Sequence, residues 1–197
     1  MDAAHRVREM FEESVQALSG SADTLAPFIV IAAGMTAGAL LNDKKILACG
    51  NGASAACVQH FSAIMLNRFV MDRPGLPAIA LTPDATTLTS IADDYQFADI
   101  FSKQIRALGQ PGDILLVASH SGSSHNIIHA IDAAHDRKMY VVALTGQDGG
   151  RITELIQEDD IEIRAPSWTT ACIHEIHLKV IHAICDLIDR RLLGQED

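Results

Sequence analysis

Residues 44–61, KKILACGNGASAACVQHF, contain the pattern that decides the fold of this chain. A short apolar run leads into a turn of small residues, and a helical stretch of about 54–69 follows. Because a short apolar run bounded by glycine is typical of a buried strand, the segment predicts a strand, a turn and a helix in succession. That succession is the repeating unit of a parallel α/β sheet.

Four further apolar runs repeat this unit along the chain. They are LPAIALT (76–82), GDILLVAS (112–119), MYVVALTG (139–146) and DDIEIRAP (159–166). Helical stretches lie between them at about 85–93, 97–108 and 124–137, and a long helix follows over about 169–193. The alternation predicts a three-layer α/β/α fold with a five-stranded parallel sheet. Since no linker or repeat interrupts the pattern, we expect one domain over residues 1–197.

The residues before the first strand predict a helical hairpin. Apolar side chains recur at three- and four-residue spacing over 2–18, and Ser19-Gly20-Ser21 then suggests a break. A second helix is expected over about 22–41, and it is apolar on most of its sides. We therefore expect the hairpin to pack on the domain and to serve oligomerisation.

Composition excludes several classes of function. The chain has 25 acidic and 15 basic residues and a formal net charge of -10, which argues against direct binding to nucleic acid. Its longest apolar run, 28–41, is too short to span a bilayer, and its first residues lack the apolar core of a signal peptide. Four cysteines without a CxxC pair indicate buried thiols in a reducing compartment. We expect a cytoplasmic protein without a membrane partner.

The turn after the first strand, Cys49-Gly50-Asn51-Gly52-Ala53-Ser54, is suited to an anion. Its glycines allow a tight turn, and the next helix presents unpaired N–H groups. The turn also loosely matches a dinucleotide fingerprint. That fingerprint requires an acidic residue at the end of the second strand, whereas Asp84 comes later and follows a proline. No nucleotide cofactor is therefore expected.

The turn after the third strand, Ser119-His120-Ser121-Gly122-Ser123-Ser124, is rich in hydroxyl groups. Hydroxyls and helix N–H groups that converge between a strand and a helix suit a phosphate monoester. One serine would suffice to cap the following helix, so the four serines favour a ligand over a simple cap.

Together the two turns resemble those of the sugar isomerase (SIS) domain, and the resemblance extends over nearly the whole chain to the phosphoheptose isomerase family. It rests on GNGASAACVQHF (50–61), NRF (67–69), RPGLPAIALT (73–82), the segment 89–113, ALTGQDGG (143–150) and EIHLKVIHAICDLID (175–189). The resemblance implies a homotetramer with sites between subunits. It also implies interconversion of sedoheptulose 7-phosphate and a phosphorylated manno-heptose, an early step of lipopolysaccharide synthesis.

The resemblance assigns site residues by position. Phosphate binding would fall to Ser54, Ser119, Ser121 and Ser124. Asn51, Gly52, Arg68 and Asp94 match positions that also line the family's site. His60 and His182 match the histidines that serve catalysis and metal binding in the family.

One position breaks the family pattern. The family carries His-x-x-x-Glu on the helix after the first turn, and its glutamate is both base and metal ligand. His60 is present here, but Ile64 occupies the glutamate position. Isoleucine can neither accept a proton nor bind zinc, so isomerase turnover is in doubt.

Nine histidines against five lysines leave a rebuilt metal site open. His174 stands at the family's glutamine ligand position, and His60, His174 and His182 together could hold zinc through three nitrogens. His174 and His182 are about 12 Å apart along a continuous helix, so they could share one ion only at the limit of their reach or from different subunits. The alternative is a polar histidine cluster at an interface.

Three functions remain open from the sequence. The first is a heptose phosphate isomerase that uses His182 or His60 as its base. The second is a non-catalytic tetrameric adaptor for the replication initiator DnaA, because one branch of the family binds that protein and also lacks the glutamate. In that case Leu192 and Leu193 could provide an apolar contact. The third is a sensor that binds a phosphorylated sugar without converting it.

Overall fold

The computed structural model describes residues 2–194 as helices around one parallel sheet. The strands are β1 (Ile46–Gly50), β2 (Ala78–Ala80), β3 (Ile114–Ser119), β4 (Tyr140–Thr145) and β5 (Ile161–Arg164). The helices are α1 (Ala3–Leu41), α2 (Ala53–Leu66), α3 (Ala85–Asp94), α4 (Ser102–Leu108), α5 (His125–Asp136), α6 (Ile152–Leu155) and α7 (Thr170–Leu192). A 3₁₀ turn, Phe97–Asp99, precedes α4. The predicted α/β class is confirmed.

The sheet has the order β2-β1-β3-β4-β5, and every neighbouring pair is parallel. Side chains that alternate along β1 enter two separate cores. Ile46 and Ala48 pack with α1, α2 and α7, whereas Leu47 and Cys49 pack with α4 and α5. Both faces of the sheet are therefore covered, which explains why β1, β3 and β4 appear in the sequence as largely apolar runs, whereas the edge strand β5 carries Glu162 and Arg164.

The predicted N-terminal hairpin is wrong, because α1 is one continuous helix of 39 residues. The hydroxyl of Ser21 donates to the carbonyl oxygen of Leu18 at 2.9 Å, so the helix itself satisfies this serine. Pro27 also lies inside the helix. Small residues at 19–21 were a poor reason to predict a turn, because packing against the rest of the protein outweighs their weak propensity.

By length and composition alone, α1 could cross a membrane. In the structure its C-terminal half packs into the core through Leu25, Ala32, Ala33 and Ala37. Its N-terminal half leaves apolar side chains exposed, among them Phe11 and Val15. The apolar character of α1 thus comes partly from the core and partly from an open surface.

A buried ion pair joins α7 to the segment after α2. Nε of Arg73 lies 2.5 Å from Oδ1 of Asp189, and both side chains are at most 2% exposed. The same guanidinium donates to the carbonyl oxygens of Ile64 and Met65, at 3.2 and 2.9 Å. Arg73 therefore fixes the C-terminal end of α2 against α7.

Candidate functional site

The two predicted turns lie side by side at the carboxyl edge of the sheet. β1 and β3 are neighbours with Gly50 in register with Ala118, so the turns that follow them meet. This edge is where open parallel sheets bind ligands. We call residues 50–54 the first loop and residues 119–124 the serine loop.

The first loop needs its glycines. A Cβ on Gly50 would lie 2.8 Å from the backbone of Ser54 and 3.0 Å from the carbonyl oxygen of Ala118. Gly52 adopts a φ of +56°, which side chains rarely tolerate, and it caps the start of α2. Ser54 is buried in the first turn of that helix. The backbone N–H groups of α2 are thereby brought to the carboxyl edge.

The serine loop begins with a buried hydroxyl. Oγ of Ser119 accepts from the backbone N–H of Gly122 at 3.2 Å, so this serine shapes the loop as well as lining it. Ser121 and Ser124 are half-buried, and Ser124 stands at the start of α5 without making a side-chain cap. The hydroxyl of Ser124 is thus not committed to the capping role that the sequence allowed.

An amide pair that the sequence did not reveal ties the first loop to the start of α5, directly after the serine loop. Asn51 and Asn126 exchange two hydrogen bonds, and each amide nitrogen donates to the other side chain's oxygen at 2.8 Å. Asn126 is 2% exposed in the first turn of α5. In the sequence, Asn126 is a polar residue on the apolar side of a predicted helix. That pattern indicates a buried polar contact but does not identify Asn51 as its partner.

The two histidines assigned to catalysis meet across α2 and α7. Nε2 of His60 lies 2.9 Å from Nε2 of His182, so one ring donates and the other accepts. The ring of Phe69 stacks on His182 at 5.4 Å between centroids. Burial lowers the pKa of His182, and the nearby His60 and Lys179 lower it further. His182 is therefore favoured in its neutral form, which has a lone pair to accept a proton.

His174 belongs to a different cluster. Its ring contacts His120 edge to face at 5.5 Å and lies 6.5 Å from His177. His177 is buried and donates through Nε2 to the carbonyl oxygen of Thr145 at 2.8 Å. Burial is the main reason that its pKa falls to about 4. His120 and His174 both depart from the family pattern, and the structure shows that they touch.

The predicted zinc site of His60, His174 and His182 does not form within one chain. Eight residues along α7 turn a side chain by about 80° and move it by about 12 Å, which separates His174 from His182. Among residues 2–194, no group of three or more histidine, cysteine, aspartate or glutamate side chains is arranged to hold a metal ion. His60 and His182 supply two nitrogens, which falls short of a zinc ligand set.

The remaining predicted residues are placed as follows. Ile64 is half-buried and packs on the core beside α7, with no charge of its own. Arg68 is exposed and donates to the carbonyl oxygen of Val70 at 3.2 Å. Asp94 is exposed at the end of α3. Within one chain, both Arg68 and Asp94 are therefore exposed to solvent.

Asp84 caps the start of α3. Its carboxylate accepts from the backbone N–H groups of Thr86 and Thr87, at 3.0 and 3.1 Å, at the start of α3. These bonds and one from the Thr87 hydroxyl lower its pKa. The carboxylate of Asp84 is therefore engaged in capping α3.

Comparison with known proteins places these features in context. The sequence pattern of the SIS domain matches residues 9–146. A phosphoheptose isomerase of Chromohalobacter salexigens is 55% identical over 197 residues, covering 100% of both chains. A phosphoheptose isomerase structure from Francisella tularensis superimposes with a TM-score of 0.94 at 46% identity, covering 96% of this chain and 100% of that one. A phosphoheptose isomerase structure from Neisseria gonorrhoeae superimposes with a TM-score of 0.89 at 47% identity, covering 94% of this chain and 98% of that one.

Proposed function

Because the chain belongs to the phosphoheptose isomerase family of SIS-domain proteins, we propose that it binds sedoheptulose 7-phosphate between the first loop and the serine loop. The observation that carries the proposal is the Asn51–Asn126 pair, which ties the first loop to the start of α5, so that the serine loop directly before α5 lies beside the first loop. Hydroxyls and helix N–H groups then supply the donors that a phosphate needs. They must do so against a net charge of -10.

Titration calorimetry with sedoheptulose 7-phosphate tests this binding. We expect the wild-type protein to bind, and Ser121→Ala with Ser124→Ala to weaken binding about 10-fold or more, since each hydroxyl removed is a hydrogen bond to an anion. Ser19→Ala, an exposed serine on α1, is the matched control and should bind like the wild type. The proposal fails if the wild-type protein does not bind the sugar at millimolar concentration.

In an isomerisation, a proton moves between neighbouring carbons of the sugar, and the chain must supply a base. We assign that role to His182, whose lowered pKa keeps it neutral and whose ring His60 orients at 2.9 Å. Within one chain, the described residues include no three histidine, cysteine, aspartate or glutamate side chains placed to hold a zinc ion. With Ile64 in place of a carboxylate, we expect turnover to be slow or absent.

We further propose that the protein is a cytoplasmic homotetramer. Support comes from the exposed apolar side chains on α1, including Phe11 at 70% and Val15 at 63% exposure. A groove of about 570 Å³ between α1 and α7, lined by Leu18, Leu25, Ile29 and Val180 among others, adds a second apolar surface. Exposed apolar patches of this kind favour association with another copy.

A second candidate function is an adaptor that binds DnaA without catalysis. The absent carboxylate at Ile64 favours it, and so does Leu193, which is 40% exposed just after α7. A pull-down with purified DnaA should retain the initiator and lose it when Leu192 and Leu193 are changed to serine. Retention by that variant would exclude this surface as the contact.

A further inference from the structure

The serine loop rests on a second turn, residues 146–150, that takes no part in the proposed chemistry. Gly122 adopts a φ of +63°, and a Cβ there would collide with the carbonyl oxygen of Gly149. The backbone N–H of Ile152 donates to the carbonyl oxygen of Gly122 at 3.0 Å. Any displacement of this glycine turn therefore moves the serine loop.

The contact continues on both sides of Gly122. A Cβ on Gly146 would lie 2.9 Å from the carbonyl oxygen of His120. Gly150 has a φ of +55°, and a Cβ there would lie 2.5 Å from the hydroxyl of Ser123. The glycine turn and the serine loop thus approach closely at Gly122, Gly146 and Gly150, through backbone atoms and the hydroxyl of Ser123.

A polar cluster lies beneath the glycine turn and sets its position. A Cβ on Gly149 would meet Oε1 of Glu162 at 2.5 Å and Nε of Arg164 at 2.7 Å, besides the hydroxyl of Thr153. Gly149 itself is buried. The turn therefore lies directly on these side chains.

The cluster is closed by hydrogen bonds from three elements. Arg164 on β5 binds Glu162 through two bonds, from Nε to Oε1 at 2.9 Å and from Nη2 to Oε2 at 2.7 Å. Thr145, at the end of β4, donates to Oε1 of Glu162 at 2.5 Å. Thr153 on α6 donates to the same oxygen at 3.3 Å and accepts from Nη2 of Arg164 at 2.7 Å.

The carboxylate of Glu162 stays charged in this setting. Its side chain is 12% exposed, and burial alone would raise its pKa. The bonds from Arg164, Thr145 and Thr153 outweigh burial and lower it. A bidentate pair of this kind is more directional than a simple contact of charges, which suits it to fixing a backbone.

We propose that Glu162, Arg164 and Thr153 are positioning residues for phosphate binding, which hold the glycine turn against the serine loop without touching the ligand. The inference rests on the proposed function of the serine loop. Its consequence is that phosphate affinity depends on a cluster at the sheet's β5 edge, on the far side of the glycine turn.

Thr153 offers the cleanest test. The residue is exposed, so the loss of its hydroxyl should not unfold the protein. Thr153→Val keeps the shape and removes the hydroxyl, and Thr153→Ser keeps the hydroxyl. Calorimetry with inorganic phosphate and with sedoheptulose 7-phosphate should show Kd values about 3- to 10-fold higher for the valine variant. The serine variant should bind like the wild type.

Two further variants complete the design. Gly149→Ala and Glu162→Gln should weaken phosphate binding at least as much as Thr153→Val. The control is Asp136→Asn, which removes the exposed ion pair between Arg106 and Asp136 at the end of α5. The ring resonances of His60 and His182 in proton NMR should stay unchanged in all of them, which separates a shifted loop from general disruption.

The outcomes distinguish the two proposals. If the wild-type protein binds neither phosphate nor the sugar phosphate, the proposed function fails and this inference fails with it. If the wild type binds and Thr153→Val binds equally well, the proposed function stands and the positioning role is wrong.

Discussion

The pair formed by His60 and His182 shows what a single substitution leaves behind. The Nε2 atoms of His60 and His182 lie 2.9 Å apart. One turn after His60 on the same helix, Ile64 occupies the position of the family's glutamate. The hydrogen bond between the rings uses one N–H and one lone pair, and burial, His60 and Lys179 lower the pKa of His182 and favour its neutral form. With Ile64 at the family's glutamate position, we expect this pair to support less turnover than a histidine and a glutamate together.

Restoring the carboxylate tests this view. Ile64→Glu should raise isomerase turnover on sedoheptulose 7-phosphate by about 10²-fold or more, since general base catalysis contributes on that order. Ile64→Gln has nearly the same shape without the charge, and it should stay at the wild-type level. Turnover is measured by the appearance of the aldose product.

Efficient turnover by the wild-type protein would contradict the expectation and would indicate that His182 alone is sufficient. Equal gains from Ile64→Glu and Ile64→Gln would mean that polarity, and not the carboxylate, had been missing.

His177 makes folding stability depend on pH. Its pKa in the folded chain is about 4, against about 6.5 for an unfolded histidine. Between these values the unfolded state binds the extra proton, so stability is full above pH 6.5 and is lost as pH falls toward 4. The loss amounts to roughly 3 kcal/mol.

Urea unfolding at pH 7, 6 and 5 measures this effect. His177→Gln keeps a donor for the carbonyl oxygen of Thr145 and cannot titrate, so its stability should fall less over the same range. His5→Gln, on the exposed start of α1, should keep the wild-type slope. An unchanged slope in His177→Gln would rule out this residue as the source.

Only part of the site's residue-level detail could be predicted. The serine loop and the first loop were recognisable from small residues between a strand and a helix. The partners of Asn126 and the contact of His174 with His120 were not, because both depend on how distant segments meet. Glu162 and Arg164 gave no signal either, since an alternating acid and base on an edge strand is typical of a solvated surface.

At the scale of elements, the strands were the easiest to predict. Four of the five are short apolar runs between turn residues, β5 alternates apolar and charged residues, and the parallel sheet follows from the helices between them. The order of the strands could not be read in the same way, because it depends on the packing of crossovers. α1 is continuous where the sequence predicts a break, because tertiary packing outweighs the low helix propensity of Ser19-Gly20-Ser21.

The ion pair between Arg73 and Asp189 should be the most sensitive contact between elements. Removing either partner leaves a charge buried without compensation, so Arg73→Met and Asp189→Leu should each lower the free energy of unfolding by about 3–5 kcal/mol. The double variant should lose much less than the sum of the two, because no charge remains buried. Urea unfolding of the wild type, the two single variants and the double variant gives the double-mutant cycle, which measures the coupling free energy between the two residues.

Arg6→Met is the matched control for that cycle. It removes exposed ion pairs with Glu9 at 3.2 Å and Glu13 at 3.3 Å and should leave the free energy of unfolding nearly unchanged. Strict additivity of the two core variants would show that the pair is not coupled.

At the scale of the whole molecule, the exposed part of α1 predicts self-association. Four copies of the 21.2 kDa chain would give a particle of about 85 kDa in light scattering. Phe11→Ser with Val15→Ser should shift the mass toward smaller species, because it removes two of the most exposed apolar side chains on the helix. Glu12→Ser with Glu13→Ser is the control on the same turns.

A tetramer that persists in the apolar variant would place the interface elsewhere, with the groove between α1 and α7 as the next surface to change. A monomeric wild-type protein would contradict the assembly altogether.

The reciprocal amides of Asn51 and Asn126 have a consequence for how this protein can change over generations. Each side chain offers one donor and one acceptor, so the pair fits in a single relative orientation. An aspartate at either position would have no amide N–H to donate. One of the two hydrogen bonds would be lost, and two oxygen atoms would face each other. The two asparagines lie 75 residues apart in the chain, so a replacement at one position keeps both hydrogen bonds only with a matching replacement at the other.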